Sequence, residues 1–189
     1  MEIIDNFLSK DEAEKIYSNM MGGIFPWFYS KGIATRDDGL YQMIHLIYLP
    51  REPNDLLGKK YLSPYRIIKT PWNEDILVGE VIDPLIGKLP IKHLIRIKAN
   101  LLTKTPQPRQ SPYHTDFGDT LTGKSSLKKL KTAIYYVNSN NGYTIFKNGA
   151  KVDSVANRMV TFDHDLEHAS VTQTDTDSRV VINFNYLEL

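Results

Sequence analysis

From about residue 93 onward the chain alternates short apolar runs with turn residues, and this pattern constrains the fold more than any other feature. Runs near 93–103, 112–117, 130–138, 143–147, 150–155, 158–162, 168–174 and 179–187 read as strands. Asn140-Asn141-Gly142 and Lys147-Asn148-Gly149 are hairpin signals between them. Eight short strands after a helical N-terminal third predict a mostly β (α+β) chain. The expected architecture is a jelly roll or similar β-sandwich, braced on one sheet by helices.

The N-terminal part reads differently. Ser9 caps a helix whose first turn carries Asp11, Glu12 and Glu14, where acidic groups suit the positive helix end. Ala13, Ile16, Tyr17 and Met20 follow at helical spacing, and Gly22-Gly23 end the segment. A dense aromatic patch, Phe25-Pro26-Trp27-Phe28-Tyr29, follows; it either packs the helix on the sheet or borders a substrate entrance. Residues 42–49 look like a strand stopped by Pro50. Residues 73–88 carry a helical apolar pattern that Pro84 should bend or end.

At 189 residues there is room for one domain, 1–189, with 1–92 as helical and mixed support for a β core at 93–189. The absence of cysteine excludes disulfides, zinc ribbons, thiolate catalysis and iron–sulfur clusters, so any metal must be held by His, Asp or Glu. With 23 Lys plus Arg against 22 Asp plus Glu, the net charge of +1 gives no general attraction to duplex nucleic acid or anionic membranes. The opening Met1-Glu2-Ile3-Ile4-Asp5 lacks a signal-peptide pattern, and no run approaches membrane-span length. A cytoplasmic protein is expected.

Only five histidines are present. His114-Thr115-Asp116 puts an imidazole and a carboxylate on the same face of an extended chain, and His168 is the best candidate for a third ligand. Two His and one carboxylate on one face of a metal leave the other positions open, as non-haem Fe(II) oxygenases require. His164 falls in an acidic turn and should be exposed. His45 reads as a satisfied packing residue and His93 as a strand-edge residue. The last strand puts Arg179, Val181, Asn183 and Asn185 on one face and Val180, Ile182, Phe184 and Tyr186 on the other. The first face either meets solvent or lines the interior, with Arg179 as a forked donor for a carboxylate.

The order His114-x-Asp116, His168, Arg179 resembles the 2-oxoglutarate/Fe(II)-dependent dioxygenases, with closest likeness to the prolyl 4-hydroxylase-like branch. Thr132-Ala133-Ile134-Tyr135-Tyr136-Val137-Asn138 with Gly142-Tyr143-Thr144-Ile145-Phe146 is similar to that branch's Tyr-Leu-Asn…Gly-Gly-x-Thr-x-Phe stretch, and Arg158–Phe162 to its next core strand. The likeness covers roughly 93–187 and implies a double-stranded β-helix. It departs in having one glycine where the motif has two, and Arg179 where many hydroxylases place Lys.

The resemblance implies a catalytic iron triad of His114, Asp116 and His168. Arg179 and Tyr136 would hold the distal carboxylate of 2-oxoglutarate, Asn183 and Asn185 would face the cosubstrate and substrate, and Asn100 would face the site, with Asn183 and Asn100 counted among the cosubstrate-binding residues. Fe(II), 2-oxoglutarate and O2 would be the cofactors, with succinate and CO2 released as a substrate C–H bond is hydroxylated. The expected partner is a small molecule or short peptide, with no duplex nucleic acid and no membrane. Oligomeric state is not legible. A cluster of Lys124, Lys128, Lys129 and Lys131 reads as a solvated loop. The competing reading is a non-catalytic β-sandwich ligand-binding module whose His-x-Asp is incidental.

Overall fold

The computed structural model describes residues 1–35, 37–48, 77–116 and 129–189. Strand β1 (Glu2–Ile4) leads into helix α1 (Lys10–Met21), which starts at Ser9 by a reciprocal cap. Ser9 Oγ accepts the Glu12 backbone N–H at 3.4 Å, and the Glu12 carboxylate accepts the Ser9 backbone N–H at 2.9 Å. Ile16 and Met20, one turn apart, are the residues α1 buries; Tyr17 faces out. A π-helical turn, Leu77–Ile82, runs into the short helix α2 (Asp83–Ile86). The change of helix type falls beside Pro84, whose missing N–H removes a ladder bond. Residues 73–76, Pro50, Lys124 and Lys128 lie outside the described residues. Among the described residues no helix is long and apolar enough to cross a membrane.

The strands form two antiparallel sheets. β2 (Phe28–Lys31), β3 (Tyr41–Tyr48), β4 (Ile91–Thr103), β5 (Leu130–Tyr136), β8 (Arg158–Asp163) and β10 (Ser178–Glu188) join β1 in the order β1-β8-β5-β10-β4-β3-β2. β6 (Tyr143–Phe146), β7 (Lys151–Asp153) and β9 (His168–Val171) form the smaller sheet, β7-β6-β9. This is the expected jelly-roll sandwich. The core strands fall within a few residues of their sequence positions, whereas β1 and β2 are additions. The segment 112–117 is not a regular strand among its described residues. His114 makes one bridge, exchanging two 3.0 Å backbone hydrogen bonds with His168, and Pro112 lacks the N–H needed to extend a ladder.

Alternation along the large sheet divides the interior in two. On its outer face Ile97, Ala99, Tyr135, Ile182, Phe184 and Tyr186 pack with Ile16, Met20, Val81 and Leu85 from the helices. Between the sheets, Ile134, Tyr136, Phe146, Val152, Val160, Phe162 and Val181 form a second cluster. The aromatic patch divides likewise: Phe25 is buried and Trp27 packs on the first core, while Phe28 and Tyr29 are exposed, with Tyr29 stacked on Tyr41. His45 is satisfied on one side only. Its Nδ1 meets the Pro26 carbonyl at 2.8 Å while Nε2 is buried with no hydrogen-bond partner. Burial holds the His45 pKa below its ordinary value, keeping the ring neutral. His164 is half-buried rather than exposed, because its backbone N–H is tied to the Leu130 carbonyl. His93 pairs with Leu187 near the start of β4, inside the sheet order.

One hairpin signal works as read and the other does not. Lys147-Asn148-Gly149 joins β6 to β7, with Gly149 at φ +89°. Asn140-Asn141-Gly142 lies between β5 and β6, which belong to different sheets, so it is a corner rather than a hairpin. Asn140 Oδ1 accepts the Gly142 N–H at 3.0 Å, fixing the corner. A Cβ at Gly142 would lie 2.8 Å from Arg179 Cδ and 2.9 Å from the Val171 carbonyl oxygen, so close approach, not conformation, demands glycine here.

Candidate metal centre

At one end of the space between the sheets, His114, Asp116 and His168 converge, with one potential ligand atom from each lying within 4.8 Å of the others. The backbone bridge between His114 and His168 sets the two imidazoles side by side, ring centroids 4.8 Å apart. His114 Nδ1 lies 3.1 Å from the Pro112 carbonyl, and His168 Nδ1 lies 3.3 Å from the Leu166 carbonyl. A carbonyl only accepts, so each Nδ1 carries the proton and each Nε2 keeps a lone pair for a metal. Burial, chiefly, lowers the pKa of His168, against the opposing pull of Asp116. The imidazole is therefore neutral near pH 7, as ligation needs.

Asp116 is oriented by two residues facing each other across β4 and β10. Arg96 and Asn185 are register partners. Arg96 Nη2 reaches Asp116 Oδ1 at 2.8 Å, Asn185 Nδ2 donates to Asp116 Oδ2 at 2.7 Å, and Arg96 Nε donates to Asn185 Oδ1 at 2.9 Å. Thr132, opposite Asn185 on β5, accepts from the same amide at 3.0 Å. Burial pushes the Asp116 carboxyl up, but Arg96, His168 and the Asn185 bond outweigh it and hold the pKa well below the usual carboxylate range. The carboxylate is therefore ionised without any metal.

A pocket opens at the triad, lined by His114, Asp116 and His168 themselves. Arg179 lines it and is only 1% exposed. Its Nε donates to Ser154 Oγ at 2.7 Å and its Nη2 to Thr144 Oγ1 at 3.1 Å, while Tyr136 OH donates to the same Thr144 oxygen at 2.8 Å. With both lone pairs of Thr144 used, its hydroxyl proton is left to donate into the pocket. Among the described residues no carboxylate pairs with Arg179: it is a buried cation held by neutral groups and by the face of the Tyr136 ring, 5.6 Å away. Burial lowers its pKa, and Tyr136 opposes that shift. This donor set fits a bound carboxylate.

The triad, Arg179, Asn183 and Asn100 thus share one pocket, and the polar face of β10 is interior rather than solvent-facing. Tyr136 stands one layer behind, fully buried, and acts on the pocket through Thr144 and Arg179. Sequence reasoning missed Arg96 as the partner of Asp116, and also Thr144, Ser154, Gln42 and Lys98 as parts of the site. The alternation Arg96-Lys98-Asn100 was the available signal for two of these; Ser154 had none.

No protein-family model matches the chain, and no curated protein matches it. Solved structures do. A prolyl hydroxylase from Trichoplax adhaerens, in complex with a hypoxia inducible factor oxygen degradation domain peptide fragment, superposes with a TM-score of 0.57 at 15% identity over 99% of this chain and 83% of that one. A 2OG-Fe(II) oxygenase family oxidoreductase from Burkholderia pseudomallei gives 0.62 at 11% identity, over 98% and 84%. The fold is that of the 2OG-Fe(II) oxygenases. A third structure with this fold is the viral collagen prolyl hydroxylase of Paramecium Bursaria Chlorella virus-1 in its 2OG complex, at 0.51 and 15% identity over 100% and 95%. The likeness to the prolyl 4-hydroxylase branch read from the sequence therefore holds at the level of fold.

Proposed function

We propose that the protein is a 2-oxoglutarate- and Fe(II)-dependent dioxygenase that hydroxylates a C–H bond of a small-molecule or short peptide substrate, acting in the cytoplasm. The observation that carries this reading is the convergence on one pocket of a His-Asp-His triad and a buried Arg179 that no carboxylate pairs among the described residues. A non-catalytic binding module has no use for this pairing of three metal-ligand side chains with a dry arginine.

His114 Nε2, His168 Nε2 and an Asp116 oxygen would hold Fe(II). Arg179, with the Thr144 hydroxyl, would hold the distal carboxylate of 2-oxoglutarate. Bound Fe(II) with chelated 2-oxoglutarate supplies the chemistry R–H + O2 + 2-oxoglutarate → R–OH + succinate + CO2. This chain's residues position the parts. Arg96 and Asn185 fix the carboxylate ligand, the Pro112 and Leu166 carbonyls fix the imidazole tautomers, and Tyr136 and Ser154 hold the guanidinium at one angle. The inter-sheet cluster around Phe146 and Phe162 packs behind the site, with Phe162 edge-on to the His168 ring.

The test is an anaerobic titration of 2-oxoglutarate into Fe(II)-loaded protein. A weak visible charge-transfer band is expected, and Arg179→Ala should lose it at the same ligand concentration. Iron that is not retained, or no band at saturating 2-oxoglutarate, would sink the reading.

A further inference from the structure

The metal pocket does not end at the triad. A second, open cleft adjoins it, lined by Tyr29, Lys31 and Thr35 among others, and the two cavities share Ile33, Gln42 and Lys98. Lys98 stands at the junction. Its ammonium has no hydrogen bond or ion pair among the described residues, whereas Lys31 is neutralised by Asp37. Asp116 is the one carboxylate among the described residues lining either cavity, and Arg96 and Asn185 already engage it. Among the described residues, the Lys98 charge at the approach to the triad is therefore uncompensated. Burial, reinforced by Arg96 and opposed by Asp116, lowers the Lys98 pKa to about 8, so the ammonium is still mostly protonated near neutrality yet poorly solvated. Directly across the strand pair from Lys98 is Asn183, whose buried Oδ1 has no hydrogen-bond partner. A cation at the junction and an orphaned acceptor lining the inner pocket thus face each other across the strand pair, and Arg179 lines the same inner pocket.

Building on the dioxygenase reading, we propose that Lys98 and Asn183 select the substrate: Lys98 pairs with a free carboxylate and Asn183 Oδ1 accepts an adjacent N–H, the combination an α-amino acid unit presents. A single ammonium matches one negative charge, and an N–H donor beside it would satisfy the buried amide oxygen. Lys98 is a specificity residue in this scheme, distinct from the cosubstrate anchor.

The probe is N-acetylglycine, compared with its uncharged amide N-acetylglycinamide. The readout is paramagnetic broadening of the probe's methyl proton signal by protein loaded with Mn(II) and 2-oxoglutarate. The acid should be broadened and the amide not. Lys98→Met should weaken binding of the acid roughly tenfold, and Lys98→Arg should retain it. Equal broadening of acid and amide, none of either, or an unchanged response in Lys98→Met would overturn the proposal. So would loss of 2-oxoglutarate binding in Lys98→Met, which would assign the ammonium to the cosubstrate. If the wild-type protein takes up no Mn(II) and 2-oxoglutarate at all, the dioxygenase reading itself fails and the substrate assignment falls with it.

Discussion

The two faces of β10 make opposite uses of one strand. Val180, Ile182, Phe184 and Tyr186 turn toward the helices into an apolar core, while Arg179, Val181, Asn183 and Asn185 turn toward the small sheet. Both faces are largely buried. The first gains stability from the removal of apolar surface from water, about 1.5–3 kcal/mol for a fully buried large side chain. The second holds a guanidinium and two amides whose burial is unfavourable unless each is bonded. The same strand thus separates what keeps the fold from what the fold is for, and substitutions on the two faces should separate in the same way.

The largest expected effect is on the polar face. Asp116→Ala should abolish iron retention by metal analysis after desalting, while thermal unfolding still shows a cooperative transition. Next, Arg179→Ala should weaken 2-oxoglutarate by about a hundredfold in calorimetry while leaving iron bound, since a charge-assisted contact is worth about 1.5–3 kcal/mol. Phe184→Ala, one face over, should do the reverse. Unfolding free energy should fall by about 3–5 kcal/mol with 2-oxoglutarate affinity unchanged well below the transition. A matching loss of cosubstrate affinity in Phe184→Ala would break the comparison.

Gly142→Ala sharpens it, because the added methyl meets the Arg179 side chain at 2.8 Å. Cosubstrate affinity should drop about tenfold, a larger proportional change than the shift in denaturant midpoint. The smallest effect is on pH dependence. The folded pKa of Lys98, about 8, lies below its ordinary value of 10.5, so between these limits the unfolded chain binds more protons. Stability should therefore rise with pH from about 8 to 10.5, by no more than about 2 kcal/mol after allowing for partial solvent access. Lys98→Met should flatten that rise.

The sequence carried the β10 faces, the order of the core strands and the triad, because period-two alternation and side-chain chemistry are local properties. It did not carry the corner at Asn140–Gly142, since nothing local says that the flanking strands belong to different sheets. The break at Pro112 was legible in principle, because a residue without an N–H interrupts a ladder. The clamp on Asp116 was not: Arg96 and Asn185 become neighbours only through the β4–β10 register, 89 residues apart along the chain. The two-sided environment of His45 escaped for the same reason, as its orphaned nitrogen is defined by Phe25 and Phe28 folding over it.

The clamp on Asp116 also bears on which ions the triad would admit. Each carboxylate oxygen already carries a donor, one from Arg96 and one from Asn185. Each oxygen keeps one further lone pair, and a bidentate ion would have to share both oxygens with a bound donor, so the carboxylate is better set to offer a single oxygen. Calcium, which takes six to eight oxygens and favours bidentate carboxylates, is poorly served by such a ligand. Two imidazoles and one monodentate oxygen suit a smaller transition-metal ion. The strand register that orients one side chain thereby acts as a filter on ionic radius and coordination number.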